Sequence, residues 1–281
     1  LNKNEIVYVS DCLLADLIGG GELNDHELCI GLNKNNFNVK KIRSYNFTLE
    51  KVDTDKFYII SNFALLKKEV KDKIQEKCKY IIYEHDHKYL KSRNPAIYKN
   101  YKAPKSEIVN LNFYKNAKKV FCQSSFHESI IKKNVEISNI YNVSGNLWST
   151  QSLEILSSLG SNNKKDRYSI LDSQISHKNT NDAVFYCEKK NYNYDLISSQ
   201  DYIEFIKKLS MNDKFIFLPK TPETLSRVVV EARMLNIKTI TNKNVGASYE
   251  DWFHLKGKDM IAFMLNKKEE IINKVMEIVC E

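Results

Sequence analysis

Two carboxylates stand out by position. Glu223 and Glu231 lie in PKTPETLSRVVVEARML, separated by seven residues, after the apolar run Phe215-Ile216-Phe217-Leu218. Glu231 shares a helical face with Val228 and Leu235, three and four positions away. A carboxylate on an apolar, inward face is costly unless something satisfies it. A ribose diol is one natural partner, and capping by backbone groups is the other. Glu223 falls in or before the first turn, where acids are also common because of the helix dipole. A second polar cluster, Glu84-His85-Asp86-His87, follows Tyr80-Ile81-Ile82-Tyr83 directly. Two histidines at i, i+2 with no third ligand at a suitable spacing favour a base or a hydrogen-bonding role over a metal site. Which of His85 and His87 faces a ligand depends on where the strand ends. The third group is Gly19-Gly20-Gly21-Glu22. Glycines there let the backbone approach a ligand, and a helix start adds partial positive charge, which suits a diphosphate or a sugar hydroxyl. The spacing is not the G-x-G-x-x-G of a dinucleotide fingerprint.

The elements that must carry these groups alternate along the chain. Strands are expected at 6–9, 38–42, 57–60, 80–83, 119–122 and 140–143. Helices are expected at 23–33, 64–78, 107–117 and 125–133. The stretch from Trp148 to Arg167, with Ser157-Ser158 and Gly160-Ser161-Asn162-Asn163, has the composition of a linker. Beyond it the alternation resumes, with strands at 168–172, 194–198, 214–218 and 237–241 and helices at 179–190, 201–210, 224–235 and 268–280. This pattern predicts an α/β protein of two Rossmann-like parallel-sheet domains, residues 1–148 and 167–281, joined by a linker at 149–166. Ligands are expected in an interdomain cleft, at the carboxyl ends of the strands.

The 281 residues carry 42% hydrophobic and 28% charged side chains, which excludes a mainly disordered chain. The net charge of +8 favours anionic partners, and it comes from scattered lysines rather than a basic tail. The six cysteines form no C-x-x-C pair and mostly lie in apolar contexts, as expected of reduced core cysteines in a cytoplasmic protein. No run approaches the ~20 apolar residues of a membrane span, and no secretory leader is expected.

At these motifs the sequence resembles the GT-B-fold glycosyltransferases, specifically the large retaining family 4. Its C-terminal domain carries an E-x7-E motif in the frame seen here as PKTPETLSRVVVEARMLNIKTITNKNVGA. Its N-terminal domain opens strand, G-G-x-E, helix, here EIVYVSDCLLADLIGGGELNDHEL. A strand ending in a His-Asp pair matches YIIYEHDH. The resemblance implies that Glu231 binds ribose hydroxyls and that Glu223 contacts the donor sugar. The amides around Leu225, Ser226 and Arg227 meet the diphosphate, which Gly20 and Gly21 approach from the other domain. His85 lies near the sugar, and Lys178 takes the basic position for the diphosphate. Fixed charges then stabilise the leaving group, with no metal and no cofactor beyond the nucleoside-diphosphate sugar itself. Two departures are visible: Ser173 stands where the family usually has Arg, and Ser226 where it usually has Gly. The chain is also shorter than is typical, which implies a reduced acceptor-binding part.

The expected activity is transfer of a hexose-type sugar, with retention, to a glycan, a lipid-linked sugar, a protein or a modified DNA base. The positive charge gives the nucleic-acid option its weight. The competing classes are a non-catalytic nucleotide-sugar or nucleic-acid binding protein of the same fold, suggested by Ser173, and another nucleotide-sugar enzyme such as an epimerase.

Overall fold

The structure, a computed structural model, describes residues 5–281. It divides into two compact units. Unit 1 holds the chain up to Leu147 together with Lys267–Glu281, and unit 2 holds Trp148–Asn266.

Unit 1 runs β1 (Glu5–Ser10), α1 (Gly20–Lys34), β2 (Asn38–Arg43), β3 (Phe57–Ile60), α2 (Lys68–Lys77), β4 (Lys79–Tyr83), α3 (Leu111–Lys115), β5 (Val120–Cys122), α4 (Ser125–Asn134) and β6 (Ile140–Asn142). The strands form one six-stranded sheet in the order β2-β1-β3-β4-β5-β6. Neighbours are parallel, with Ile6 opposite Phe57 and Val9 opposite Ile60. The inner strands are buried along both faces, so FYII and YIIY read as continuous apolar runs rather than alternating ones. Side chains still alternate between faces. Val7, Val9, Tyr58, Ile60, Ile82 and Val120 pack with Val70 and Ile74 of α2. Tyr8, Ile59, Ile81, Tyr83 and Phe121 pack with Leu28 and Leu32 of α1 and with Ile271, Ile272 and Val275 near the C-terminus.

Unit 2 runs α5 (Thr150–Gly160), β7 (Lys165–Leu171), α6 (Thr180–Lys189), β8 (Tyr194–Ile197), α7 (Tyr202–Ser210), β9 (Asn212–Phe217), α8 (Arg227–Met234), β10 (Lys238–Thr241) and the first part of α9 (Gly257–Cys280), whose remainder belongs to unit 1. Its four strands are parallel in the order β10-β9-β7-β8. Among the described residues no helix is long and apolar enough to cross a membrane. The six cysteines are all free thiols; Cys29, Cys122 and Cys187 are buried, and Cys280 is exposed.

Three boundaries differ from the sequence expectation. The segment 149–166 is not a linker. Ser149 accepts a hydrogen bond from the Ser152 amide and caps α5, whose Leu153 and Leu156 enter the core of unit 2. Gly160 is selected by close packing rather than by flexibility, since a Cβ there would sit 3.2 Å from the Met234 carbonyl oxygen. The C-terminal domain does not run to residue 281, because Ile271, Ile272, Val275 and Ile278 complete the core of unit 1. Finally, α9 starts at Gly257 rather than near 268, because Met260 and Met264 anchor its first turns in unit 2.

Candidate functional site

In each unit the sheet order reverses beside the first strand, between β1 and β3 in unit 1 and between β7 and β9 in unit 2. Ligands of such sheets bind outside the carboxyl ends of the strands at that reversal. Most of the singled-out residues lie there.

In unit 2, the turn after β7 places Lys178 and the turn after β9 places Glu223. The Lys178 ammonium donates to both Glu223 oxygens, at 2.9 and 3.1 Å, and lies 5.8 Å from the Phe217 ring centroid. The two turns are stitched together. The Lys220 amide donates to the His177 carbonyl at 2.8 Å, and the Asn179 side chain donates to the Leu218 carbonyl at 2.7 Å. Glu223 is further held by a strand-like bridge to Val245: its amide donates to the Asn244 carbonyl at 2.7 Å, and its carbonyl accepts from Gly246 at 3.0 Å. Leu225 is buried, with its carbonyl accepting from Ala247. Ser226 then turns the chain into α8 with φ +74°, a left-handed conformation that favours glycine. Its side chain does not cap α8, and its buried hydroxyl has no hydrogen-bond partner among the described residues. A partly exposed Lys–Glu pair beside an uncapped helix start is equipped to receive an anion bearing hydroxyl groups. Ser173, by contrast, is spent on local structure. Its hydroxyl accepts from the Ile175 amide, and its own amide donates to Thr180 Oγ1.

Glu231 is placed differently from the ribose-binding role implied by the motif. It is 2% exposed, and its Oε1 accepts from Trp148 Nε1 at 2.9 Å, Tyr202 OH at 2.8 Å and Arg227 Nε at 2.8 Å. Arg227 in turn stacks on the Trp148 ring, with Cζ 4.4 Å from its centroid. Burial, then the charge of Glu231, pushes the Tyr202 phenol well above its usual range, so it remains a donor. The costly inward carboxylate is therefore satisfied by side chains of unit 2 itself. As placed, Glu231 positions Arg227.

In unit 1, Gly19–Gly21 open α1, with Gly20 its first residue and Gly19 at the cap. A Cβ on Gly19 would meet Glu22 Oε2 at 2.4 Å, a contact that the end of that flexible side chain can relieve by moving. Gly21 faces His85, whose Cγ would lie 3.6 Å from a Cβ there. His85 is held at both ring nitrogens. Nε2 donates to Asp25 Oδ1 at 2.5 Å, and Nδ1 accepts from the Gln123 side-chain amide at 2.6 Å. Ser61 Oγ donates to the other Asp25 oxygen at 2.6 Å, and the Tyr83 ring stacks beside His85. Burial alone drives the Asp25 carboxyl upward, but its close interaction with His85, then the hydrogen bond from Ser61, outweighs it and holds Asp25 below the usual carboxylate range. For Glu22 burial outweighs a backbone hydrogen bond and raises the carboxyl. A cavity of about 20 Å³, room for roughly one water, touches Glu22, Asp25, Tyr8 and Lys41.

The two histidines have different surroundings. His85 lies beside the glycine turn, whereas His87 is buried, with Nδ1 2.8 Å from Tyr89 OH and its ring edge-on to His127. Asp25, Ser61 and Gln123 were not singled out from the sequence. Asp25 was findable, since with Leu28 and Cys29 three and four positions on it obeys the same helical-face rule as Glu231. Trp148 and Tyr202 carry no comparable signal, because their role depends on where their segments meet α8, 83 and 29 residues away from Glu231 along the chain.

No model of a known family matches the sequence, and no curated protein aligns with it significantly. Solved structures do match. One is sucrose-phosphate synthase from Thermosynechococcus elongatus, at 8% identity and TM-score 0.58, over 86% of this chain and 82% of that one. Another is the catalytic domain of starch synthase IV from Arabidopsis thaliana bound to ADP and acarbose, at 9% identity and TM-score 0.56, over 98% and 94%. A third is Anabaena HepE in complex with UDP and glucose, at 10% identity and TM-score 0.51, over 98% and 92%. These likenesses define the fold class: it is GT-B, with two Rossmann-like α/β units.

Proposed function

We propose that this chain is a glycosyltransferase that takes a sugar from a nucleoside-diphosphate donor held by unit 2. The observation that carries the reading is the Lys178–Glu223 pair at the sheet reversal, beside the uncapped start of α8. Its support from comparison is that GT-B neighbours were solved with ADP and acarbose or with UDP and glucose. In this reading the amides of Leu225, Ser226 and Arg227 receive the diphosphate, and Lys178 neutralises the charge that develops on it as the anomeric carbon–oxygen bond breaks. Glu223 accepts from a hydroxyl of the donor sugar. A new bond forms to an acceptor oxygen, which loses its proton, and the anomeric configuration is retained. Within unit 1, taken by itself, Gly20, Gly21 and His85 are the ligand contacts, with Asp25 and Gln123 fixing the ring of His85. The chemistry needs no cofactor and no metal.

A thermal-shift screen with UDP, GDP, CDP, ADP and dTDP and their sugar conjugates tests this, run on the wild type and on Lys178→Gln. A nucleotide at 100 times its Kd adds ~2.7 kcal/mol to the form that binds it. Loss of one charge-assisted contact weakens binding about tenfold and cuts that gain to ~1.4 kcal/mol. If no nucleotide in the panel binds, or if Lys178→Gln responds as the wild type does, the donor site is not here.

A further inference from the structure

A second feature at the carboxyl end of the unit 1 sheet is not used by the donor chemistry. Lys71, Lys88, Lys91 and Arg93 line one concave pocket of about 150 Å³, floored by Phe63 and walled by Asn110. Three of the four cations already have a carboxylate: Lys88 pairs with Glu84, Arg93 with Asp86, and Lys91 with Glu107 at 3.8 Å. Lys71 does not. Among the described residues its ammonium donates to a neutral acceptor, Asn110 Oδ1, at 2.8 Å. Nearby Asp72 is engaged by Lys68. Lys71 and Lys88 lie 6.0 and 5.4 Å from the centroid of the same Phe63 ring, so two ammonium groups approach one floor with an excess of positive charge. Lys88 is 3% exposed, pinned by Glu84 and by Asn62 Oδ1 at 3.3 Å, and is therefore a fixed donor rather than a mobile surface lysine.

We infer that this pocket binds a phosphate group carried by the molecule that unit 1 takes up. On the reading proposed above, that molecule is the sugar acceptor. The volume lies below the ~300–1,000 Å³ of a whole small-molecule site, so it fits one head group and leaves the rest of the ligand outside. Ammonium and guanidinium donors around a partly apolar floor match a tetrahedral oxyanion better than a neutral sugar, which needs acceptors as well as donors. The pocket also adjoins the groups around His85. Asn62, which holds Lys88, has its side-chain nitrogen 3.8 Å from the Cβ position of Gly21, where His85 also approaches. A phosphate anchored there leaves the ligand's next atoms directed along the same sheet edge as His85.

The test is a calorimetric titration of the full chain with inorganic phosphate and with glycerol 3-phosphate. It is repeated on Lys71→Gln, which keeps a donor for Asn110, on Lys91→Gln at the rim, and on Lys178→Gln as a donor-side control. The expected result is saturable binding with a component that Lys71→Gln weakens about tenfold and Lys91→Gln weakens less; Lys178→Gln leaves that component in place and removes at most a second phosphate held at the donor site. Co-sedimentation with vesicles containing phosphatidic acid, against phosphatidylcholine alone, separates a lipid-borne phosphate from a soluble one; either is consistent only if Lys71→Gln reduces it. Binding that is absent, or lost only in Lys178→Gln, overturns the pocket without touching the nucleotide screen. Failure of that screen with phosphate binding intact overturns the donor reading instead.

Discussion

Replacing Glu231 separates two roles that the motif alone confounds. If the carboxylate served a ribose, Glu231→Ala would abolish nucleotide binding and leave the fold unharmed. The geometry predicts the opposite order of effects. Deleting the side chain takes the carboxylate away from the buried Arg227 guanidinium, 8% exposed, and removes the acceptor Oε1 from Trp148 Nε1 and Tyr202 OH. Breaking a buried ion pair from one side costs about 3–5 kcal/mol, and each buried hydrogen bond lost with it adds roughly 1–3 kcal/mol. Because the donors share one oxygen, these terms overlap, and we expect about 4–6 kcal/mol in total. That is a large part of the ~5–15 kcal/mol that holds a typical protein folded. Glu231→Gln keeps an acceptor oxygen and loses the charge, so it should cost roughly 2–3 kcal/mol. Urea unfolding followed by tryptophan fluorescence reads this through Trp148. With a slope of about 2–3 kcal/mol per molar, Glu231→Ala should lower the midpoint by about 2 M. A loss under ~1 kcal/mol, together with abolished nucleotide binding, would refute the hub and restore the ribose role.

Three further outcomes follow from local geometry. Ser226→Gly should stabilise unit 2 by about 1 kcal/mol, since it relieves a left-handed serine and removes an unpartnered buried hydroxyl; a loss of stability in urea would contradict this. Gly31→Ala should cost about 1–3 kcal/mol, because its Cβ would lie 2.3 Å from Ile272 Cδ1, and adding Ile272→Ala should recover part of that cost. If the double variant is worse by the sum of both, the clash is not the cause. His127 is buried, and burial, then His87, holds it well below its ordinary value, so it stays neutral in the folded state while the unfolded chain takes up a proton below ~6.5. The folded pKa is depressed for a base, so this contribution is fully present above ~6.5 and is lost as pH falls, at about 1.4 kcal/mol per unit. Urea midpoints between pH 7 and 5 should fall more steeply for the wild type than for His127→Gln; equal slopes would exclude the effect.

Periodicity and turn chemistry located all ten strands to within a few residues, because parallel strands buried on both faces leave unbroken apolar runs such as FYII and YIIY. They failed where composition and packing disagree. The serines and glycine of Thr150–Gly160 read as a loop, yet Leu153 and Leu156 one turn apart dock the segment in a core that exists only after β9 and α8 are in place. Lys178 and Glu223 were legible as charged turns beside strand ends, but their pairing was not, because it depends on two loops meeting across a sheet reversal. Glu231 was legible as a carboxylate that needs a partner. Local pattern is silent on what that partner is, since Trp148 and Tyr202 lie 83 and 29 residues away.

The split membership of α9 bears on how the chain can be made. When a nascent chain has reached Leu147, every strand of unit 1 has been synthesised, but Ile271, Ile272, Val275 and Ile278 have not. The part of α1 and of the first sheet that these four side chains cover therefore waits uncovered while the whole of unit 2 is translated. At 5–20 residues per second the wait is on the order of ten seconds. Unit 2, by contrast, has its own core residues soon after Met264 appears. The part of this chain made first is the part completed last, and a chain stopped before Lys267 would leave apolar surface of unit 1 open to chaperones or to another unfinished copy.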